Sequence, residues 1–287
     1  SLEGASRFLF WGTSVMRLCC VSDLHLEFGA LDKKFPEVDV LLLAGDTTVV
    51  HRLDPKYQDA ASRSLQKATR RLHNDIRAKC KRAFAILGNH EAYGSAYHEA
   101  ADALRAALPE VRVLDCDHVH LSDDIILFGA PLWTDMNKGN LLSMQSIKNG
   151  MTDFRLIQGR GGHPFTPQAA ADEFHKAVAY LKALAENDRS KTIIAMTHHA
   201  PSRLGLSQHN RDYPTDLDGA YYSDLDEFIL DHPNIRLWHH GHIHIRKRYT
   251  IGQCQVISNA RGYHGHEPLA HSFDPAWGLI EIPEKTA

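Results

Sequence analysis

The stretch MRLCCVSDLHLEF, residues 16–28, decides how the chain folds. Its first half, RLCCVS at 17–22, is a short and nearly continuous apolar run, as expected of a strand buried on both faces. The polar residues follow the run instead of alternating with it, so Asp23 and His25 stand just beyond its end. One such pairing is common at any loop mouth. This chain repeats it.

DVLLLAG (39–45) runs into Asp46, AFAILG (83–88) into Asn89 and His90, TIIAMT (192–197) into His198 and His199, and NIRLW (234–238) into HHGHIH with His242 and His244. Five buried runs that each end in metal-type ligands are not explained by unrelated polar loops. Between the second and third runs, Pro55 to Lys81 is charged, Ala-rich and helical in period, giving β, loop, β, helix, β. In such sheets ligand sites form at the carboxyl ends of strands.

Further along, the pattern predicts a helix over 95–107 and short strands over 111–114, 118–122 and 125–129. Residues 133–165 are rich in Gly, Asn and Met with poor periodicity and read as an insertion capping one end of the sheet. Pro167–Asn187 reads as an amphipathic helix, and SDLDEFILDH as a helix capped by Ser223. KRYTIG, CQVISN and GLIEIP supply closing strands. With no repeat and no low-complexity linker, residues 16–287 are expected to form one domain behind an N-terminal extension at 1–15.

Composition narrows the function. The net charge of −3 gives none of the broad basic footprint of a protein that holds nucleic acid by its phosphates. Five cysteines, an odd number without a CxxC pair, fit a reducing compartment, and the cytoplasm is the expected location. No apolar run is long enough for a transmembrane helix. Histidine, at 20 residues, is over-used and sits beside Gly, Asp and Asn, where ligands project from turns.

In an extended chain side chains alternate, so DxH and HxH each place two ligands on one face. Asp, His and Asn donors without thiolates favour Mn, Fe, Zn or Co in a working site over a structural zinc, with Mn preferred. Donors in this number are too many for one tetrahedral ion and suit two divalent ions that share a carboxylate.

The ordered series DxH (Asp23, His25), GD (Asp46), GNHE (Asn89, His90, Glu91), HH (His198, His199) and GHxH (His242, His244) resembles the calcineurin-like metallophosphoesterase superfamily. VISNARGYHGHE, near the C-terminus, is similar to bacterial predicted phosphohydrolases of that group. The resemblance implies an α/β fold, a four-layer α/β/β/α sandwich with two mixed central sheets. It implies that Asp23, His25 and His244 hold one ion, that Asn89, His198 and His242 hold the other, and that Asp46 bridges them. A metal-bridging hydroxide would be the nucleophile and His90 the general acid. Glu91 either orients a histidine or is a solvated loop carboxylate. His199, Arg261, Asn89, Trp133 and Asp153 are candidates for substrate contact, Trp133 equally for the core. The expected substrate is a small soluble phosphodiester or phosphomonoester, diester ahead. The rivals are a non-catalytic scaffold of the same fold, a nuclease, and a nucleotide-lipid pyrophosphatase.

Overall fold

A computed structural model describes residues 15–284. The expected N-terminal extension, apart from Val15, therefore lies outside the described residues. In chain order the elements are β1 (Val15–Val21), β2 (Val38–Ala44), α1 (Ala60–Lys79), β3 (Cys80–Ile86), α2 (Tyr97–Ala107), β4 (Arg112–Val113), β5 (Asp117–His120) and β6 (Ile125–Ala130). Three short helices follow: α3 (Met136–Gly139), α4 (Leu141–Gly150) and α5 (Asp153–Leu156). Then come α6 (Pro167–Asn187), β7 (Thr192–Thr197), α7 (Gln208–Asp212), α8 (Asp226–Asp231) and β8 (Ile235–His239). The chain closes with β9 (Lys247–Ile251), β10 (Cys254–Ser258), α9 (Pro268–His271) and β11 (Leu279–Pro283).

The described strands form two mixed sheets, ordered β11-β1-β2-β3-β4 and β5-β6-β7-β8-β10-β9. In the first, β1 to β4 are parallel and β11 is antiparallel to β1, with Leu18 opposite Val40 and Leu41 opposite Ala83. In the second, β6, β7, β8 and β10 are parallel, and β5 and β9 close the edges antiparallel.

The continuous apolar runs are explained by the layering. Leu18, Cys20, Val40, Leu42, Phe84 and Ile86 turn toward Leu127, Ile194, Met196 and Leu237 of the other sheet. Their neighbours Cys19, Val21, Leu41, Leu43 and Ala85 turn the other way, onto Leu65, Leu72 and Ile76 of α1 and Leu104 of α2. On the far side, Ile126, Phe128 and Ile193 pack on Phe174 and Leu181 of α6 and Ile229 of α8. Both faces of the central strands are covered, so their residues of either parity must be apolar, whereas the edge strands β5 and β9 stay polar and partly exposed; the architecture is the expected α/β/β/α sandwich.

The helices start where their caps dictate. Asp59 accepts from Ser62 N ahead of α1, and Thr166 accepts from Ala169 N ahead of α6, where Pro167 occupies the first turn. The expected Ser223 cap is not used: α8 begins at Asp226, and Ser223 Oγ accepts from the Asp135 amide instead. Residues 133–165 carry α3, α4 and α5, and Phe154, Ile157 and Phe165 root the segment in the core beside α2. Among the described residues no helix is long and apolar enough to cross a membrane.

Candidate metal centre

Asp23, Asp46, Asn89, His198 and His242 all lie just past the carboxyl ends of parallel strands β1, β2, β3, β7 and β8. The two sheets bring these ends together. His198 Nδ1 lies 2.9 Å from the carbonyl oxygen of Ala44, the last residue of β2. The loops carrying the ligands are not extended. Asp23, His25, Asp46, His242 and His244 all have positive φ, between 43° and 69°, so DxH and HxH converge through left-handed turns and not through strand alternation. Close approach demands glycine at two neighbours: a Cβ on Gly88 would lie 2.1 Å from Asp46 Oδ1, and one on Gly241 2.5 Å from Asp23 Oδ2.

Asp23, His25 and His244 form one group whose ligand atoms lie within 4.8 Å of one another; Asp46, His198 and His242 form a second. Asp46 Oδ2 stands between them, 3.6 Å from His25 Nε2 and 3.4 Å from His198 Nε2. Asn89 joins the second group through Oδ1, 3.0 Å from His198 Nε2.

The hydrogen bonds around these residues decide which atoms face inward. Glu27 and Glu267 are both held below the usual carboxylate range; burial opposes this, but the imidazoles bonded to them prevail. As carboxylates they only accept, so His25 Nδ1 donates to Glu27 (3.0 Å) and His244 Nδ1 to Glu267 (2.9 Å). The two Nε2 atoms then face each other at 3.0 Å. In the same way His198 Nδ1 must donate to the Ala44 carbonyl, which aims its Nε2 at Asn89 Oδ1 and Asp46 Oδ2. Nitrogens and oxygens facing one another at these distances need a proton or a metal ion between them. Asp23 Oδ2 and His242 Nε2 are buried with no hydrogen-bond partner. This donor set of carboxylate, imidazole and amide oxygen fits divalent cations.

The electrostatics agree. Burial would lower the His198 imidazole, but the Asp46 carboxylate outweighs it and pushes it up to about 9. Burial is likewise overcome at His244, which Asp23 and Glu267 push up to about 10. Asp23 is drawn down to about 2 against its burial, chiefly by His244. His242, buried beside His199 and His198, is pushed well down.

His90 sits at the rim. Its Nδ1 donates to Glu27 at 2.9 Å, its backbone N–H to Asp46 Oδ1 at 2.8 Å, and its Nε2 lies 3.3 Å from the Tyr263 hydroxyl. Burial would lower this imidazole, but Asp46 and Glu27 raise it. A cavity of about 360 Å³ opens over the centre, lined by Asp46, Asn89, His90, His242 and His244, with Tyr93, Tyr221, Tyr263 and Gly150–Thr152 as walls. A larger hollow of about 870 Å³ between residues 50–57 and 158–162 holds none of the ligand residues.

Several expectations need correcting. Arg261 is buried and turned from the cavity, its guanidinium donating to the carbonyls of Leu24, Gly29 and Ala30, so it clamps the loop that carries His25. His199 is buried, its ring stacked on Trp133, and Trp133 is a core residue that donates to the Tyr97 hydroxyl. Asp153 reaches Asn89 and Tyr93. Glu91 is fully buried and neither orients a histidine nor meets solvent; it accepts the backbone N–H groups of Asp46, Thr47, Thr48 and Gly88 and so shapes the loop after β2. Sequence reasoning passed over Glu27 and Glu267. Glu27, two residues beyond His25, was the more findable.

A family model for calcineurin-like phosphoesterases matches residues 16–246. No curated protein gives a significant match. Among solved structures, the phosphopantetheinyl hydrolase PptH from Mycobacterium tuberculosis is 17% identical, with 92% of this chain and 95% of that one covered and a TM-score of 0.63. The TT1561 protein of Thermus thermophilus is 16% identical over 94% of this chain and 99% of its own, with a TM-score of 0.47. A dimetal phosphatase from Danio rerio is 12% identical over 85% and 86%, with a TM-score of 0.44. The first of these likenesses is one of fold.

Proposed function

The chain belongs to the calcineurin-like phosphoesterase family and is a phosphoester hydrolase, and from that premise we propose that it is a binuclear metal-dependent enzyme acting on a small phosphodiester. The observation that carries the reading is the convergence of seven residues from two sheets with their acceptor atoms facing one another and Asp46 Oδ2 between two imidazoles. Asp23, His25 and His244 would hold one ion, Asn89, His198 and His242 the other, and Asp46 both. The ions supply Lewis acidity, neutralising phosphoryl charge and acidifying water toward neutral pH. The carboxylate and amide oxygens suit Mn and the imidazoles suit Fe and Zn, so the set fits Mn, Fe, Zn or Co, and Mn is taken as the working ion.

The protein's own groups position and protonate. Glu27 fixes the His90 ring so that Nε2 is directed to the cavity beside Tyr263, in place to hand a proton to the departing oxygen. Such a group contributes about 10² to 10⁴ in rate. Gly150–Thr152 form one wall, which supports reading residues 133–165 as a cap over the centre. Among the described residues lining this cavity there is no lysine or arginine, and three tyrosines stand there. A singly charged diester suits such walls better than a doubly charged monoester. Free thiols at Cys19, Cys20, Cys80, Cys116 and Cys254 support a reducing compartment such as the cytoplasm.

The test is elemental analysis of protein purified without chelator, followed by assay on p-nitrophenyl phosphate and its bis-p-nitrophenyl diester with Mn. A phosphopantetheinyl ester belongs in the same panel, because the protein sharing the fold is named for that activity. We expect about two metals per chain, faster diester turnover, and loss of activity in Asp46→Ala. Less than half a metal and no turnover after reconstitution would sink the reading; faster monoester turnover would overturn the diester preference.

A further inference from the structure

Asn89 is the one proposed ligand whose terminal group, turned over, exchanges an oxygen for an NH₂ group at the centre. Something must choose. Its Nδ2 donates to Asp153 Oδ1 at 2.7 Å and to the Tyr93 hydroxyl oxygen at 3.1 Å, and the Tyr93 hydroxyl itself donates to Asp153 Oδ1 at 2.7 Å. The hydroxyl hydrogen is spent on the carboxylate, so the phenol oxygen can only accept from the amide. With the amide reversed, Asn89 Oδ1 would face a carboxylate oxygen and a phenol oxygen, and NH₂ would face His198 Nε2.

We propose that Asp153 is a positioning residue that locks the Asn89 amide with its oxygen toward His198 and thereby sets the affinity of the ion position formed by Asn89, His198 and His242. The inference rests on the binuclear reading above. The carboxylate is well placed for the task. Asp153 is 2% exposed and begins α5, whose next residue, Phe154, is buried in the core. The backbone around it is stitched to the segment that follows GNHE, by Gly94 N to Leu156 O (2.9 Å), Gln158 N to Ser95 O (3.0 Å) and Tyr97 N to Gln158 O (2.8 Å). Asp153 and Asn89 are therefore mounted on one frame, although 64 residues separate them. A buried carboxylate needs hydrogen-bond donors wherever it stands, so a purely structural role is the competing account.

Asp153→Leu and Asp153→Asn separate the two. Leucine has no acceptor, whereas asparagine can still offer an oxygen to the Asn89 amide. Manganese is titrated into wild type and variants, reading bound metal by equilibrium dialysis and the pairing of ions by electron paramagnetic resonance. For D153L we expect one ion bound as in wild type and the other weakened about 10- to 100-fold, the scale for partners that orient ligands. An isolated Mn(II) spectrum should replace the exchange-coupled one at limiting metal, and D153N should restore coupling. Unchanged affinity for both ions in D153L would overturn the proposal. So would parallel loss of both ions, or a D153N variant as defective as D153L, since either marks a structural role. Should D153L not fold, Asp153→Ser, which keeps a polar side chain but is too short to reach the Asn89 amide, carries the test: a weakened second ion supports the lock, and an unchanged one refutes it. A wild-type protein that binds fewer than two ions removes the binuclear reading itself, before any variant is compared.

Discussion

Glu267 closes the VISNARGYHGHE stretch, outside the five ligand motifs, and both its oxygens lie within 3.0 Å of His244 Nδ1 while one also accepts the Tyr263 N–H. Glu267→Gln should keep the fold and weaken metal binding about 10- to 100-fold, measured by competition with a fluorescent chelator. Arg261→Met should act differently. It strips three carbonyls of their donor, and we expect a loss of about 3 kcal/mol or more in urea unfolding with KM unchanged in the folded fraction; a raised KM at full stability would return Arg261 to the substrate. At this scale the ligands were legible because each sits in a short local motif. Their supports were less so: Glu267 meets His244 across 23 residues, and Glu27, though only two residues past His25, also holds His90 across 63. Glu91 was misread for a related reason, because its partners are backbone amides and a sequence pattern carries no sign of them.

The helix α6 shows how far pattern alone can reach. Its span, Pro167–Asn187, and its amphipathic character were readable from spacing, and the structure adds the Thr166 cap and the buried face at Ala170, Phe174, Ala177 and Leu181. Thr166→Ala should destabilise the protein by about 1 kcal/mol, read as a shift in the thermal midpoint, with metal content untouched. The ligand loops show where pattern fails. Alternation is a property of strands, and the chain leaves the strand before it reaches Asp23 or His242. Positive φ at non-glycine residues costs about 1 to 2 kcal/mol each, so composition alone argues against the conformation that the centre uses. Residues 133–165 resisted reading because α3 and α5 are single turns and α4, though longer, buries only Ser143 and Ile147 while Leu141 and Leu142 are exposed.

For the molecule as a whole, the binuclear reading makes the ions part of the fold's stability. Groups that bind the native state alone stabilise it by about 2.7 kcal/mol at a free concentration of 100 times Kd. Chelation should therefore lower the thermal midpoint reversibly, and Asp46→Asn should melt at the same temperature with or without added Mn. The stacking of two sheets was not legible from the apolar runs: a run buried on both faces does not reveal which face meets a helix and which meets a second sheet, and the family resemblance supplied that step. The way the two sheets divide the ligands has a consequence for how the protein is made. Asp23, His25, Asp46 and Asn89 are synthesised early, but each group is completed by histidines that come late, at His198, His242 and His244. A chain emerging from the ribosome displays Asp23, His25 and Asp46 of the first site and Asp46 and Asn89 of the second for most of its synthesis, and completes neither until the loop after β8 is translated. On the binuclear reading, metal loading would belong to the whole polypeptide, and a fragment broken between β6 and β7 would carry candidate ligands without a centre until it met its other half.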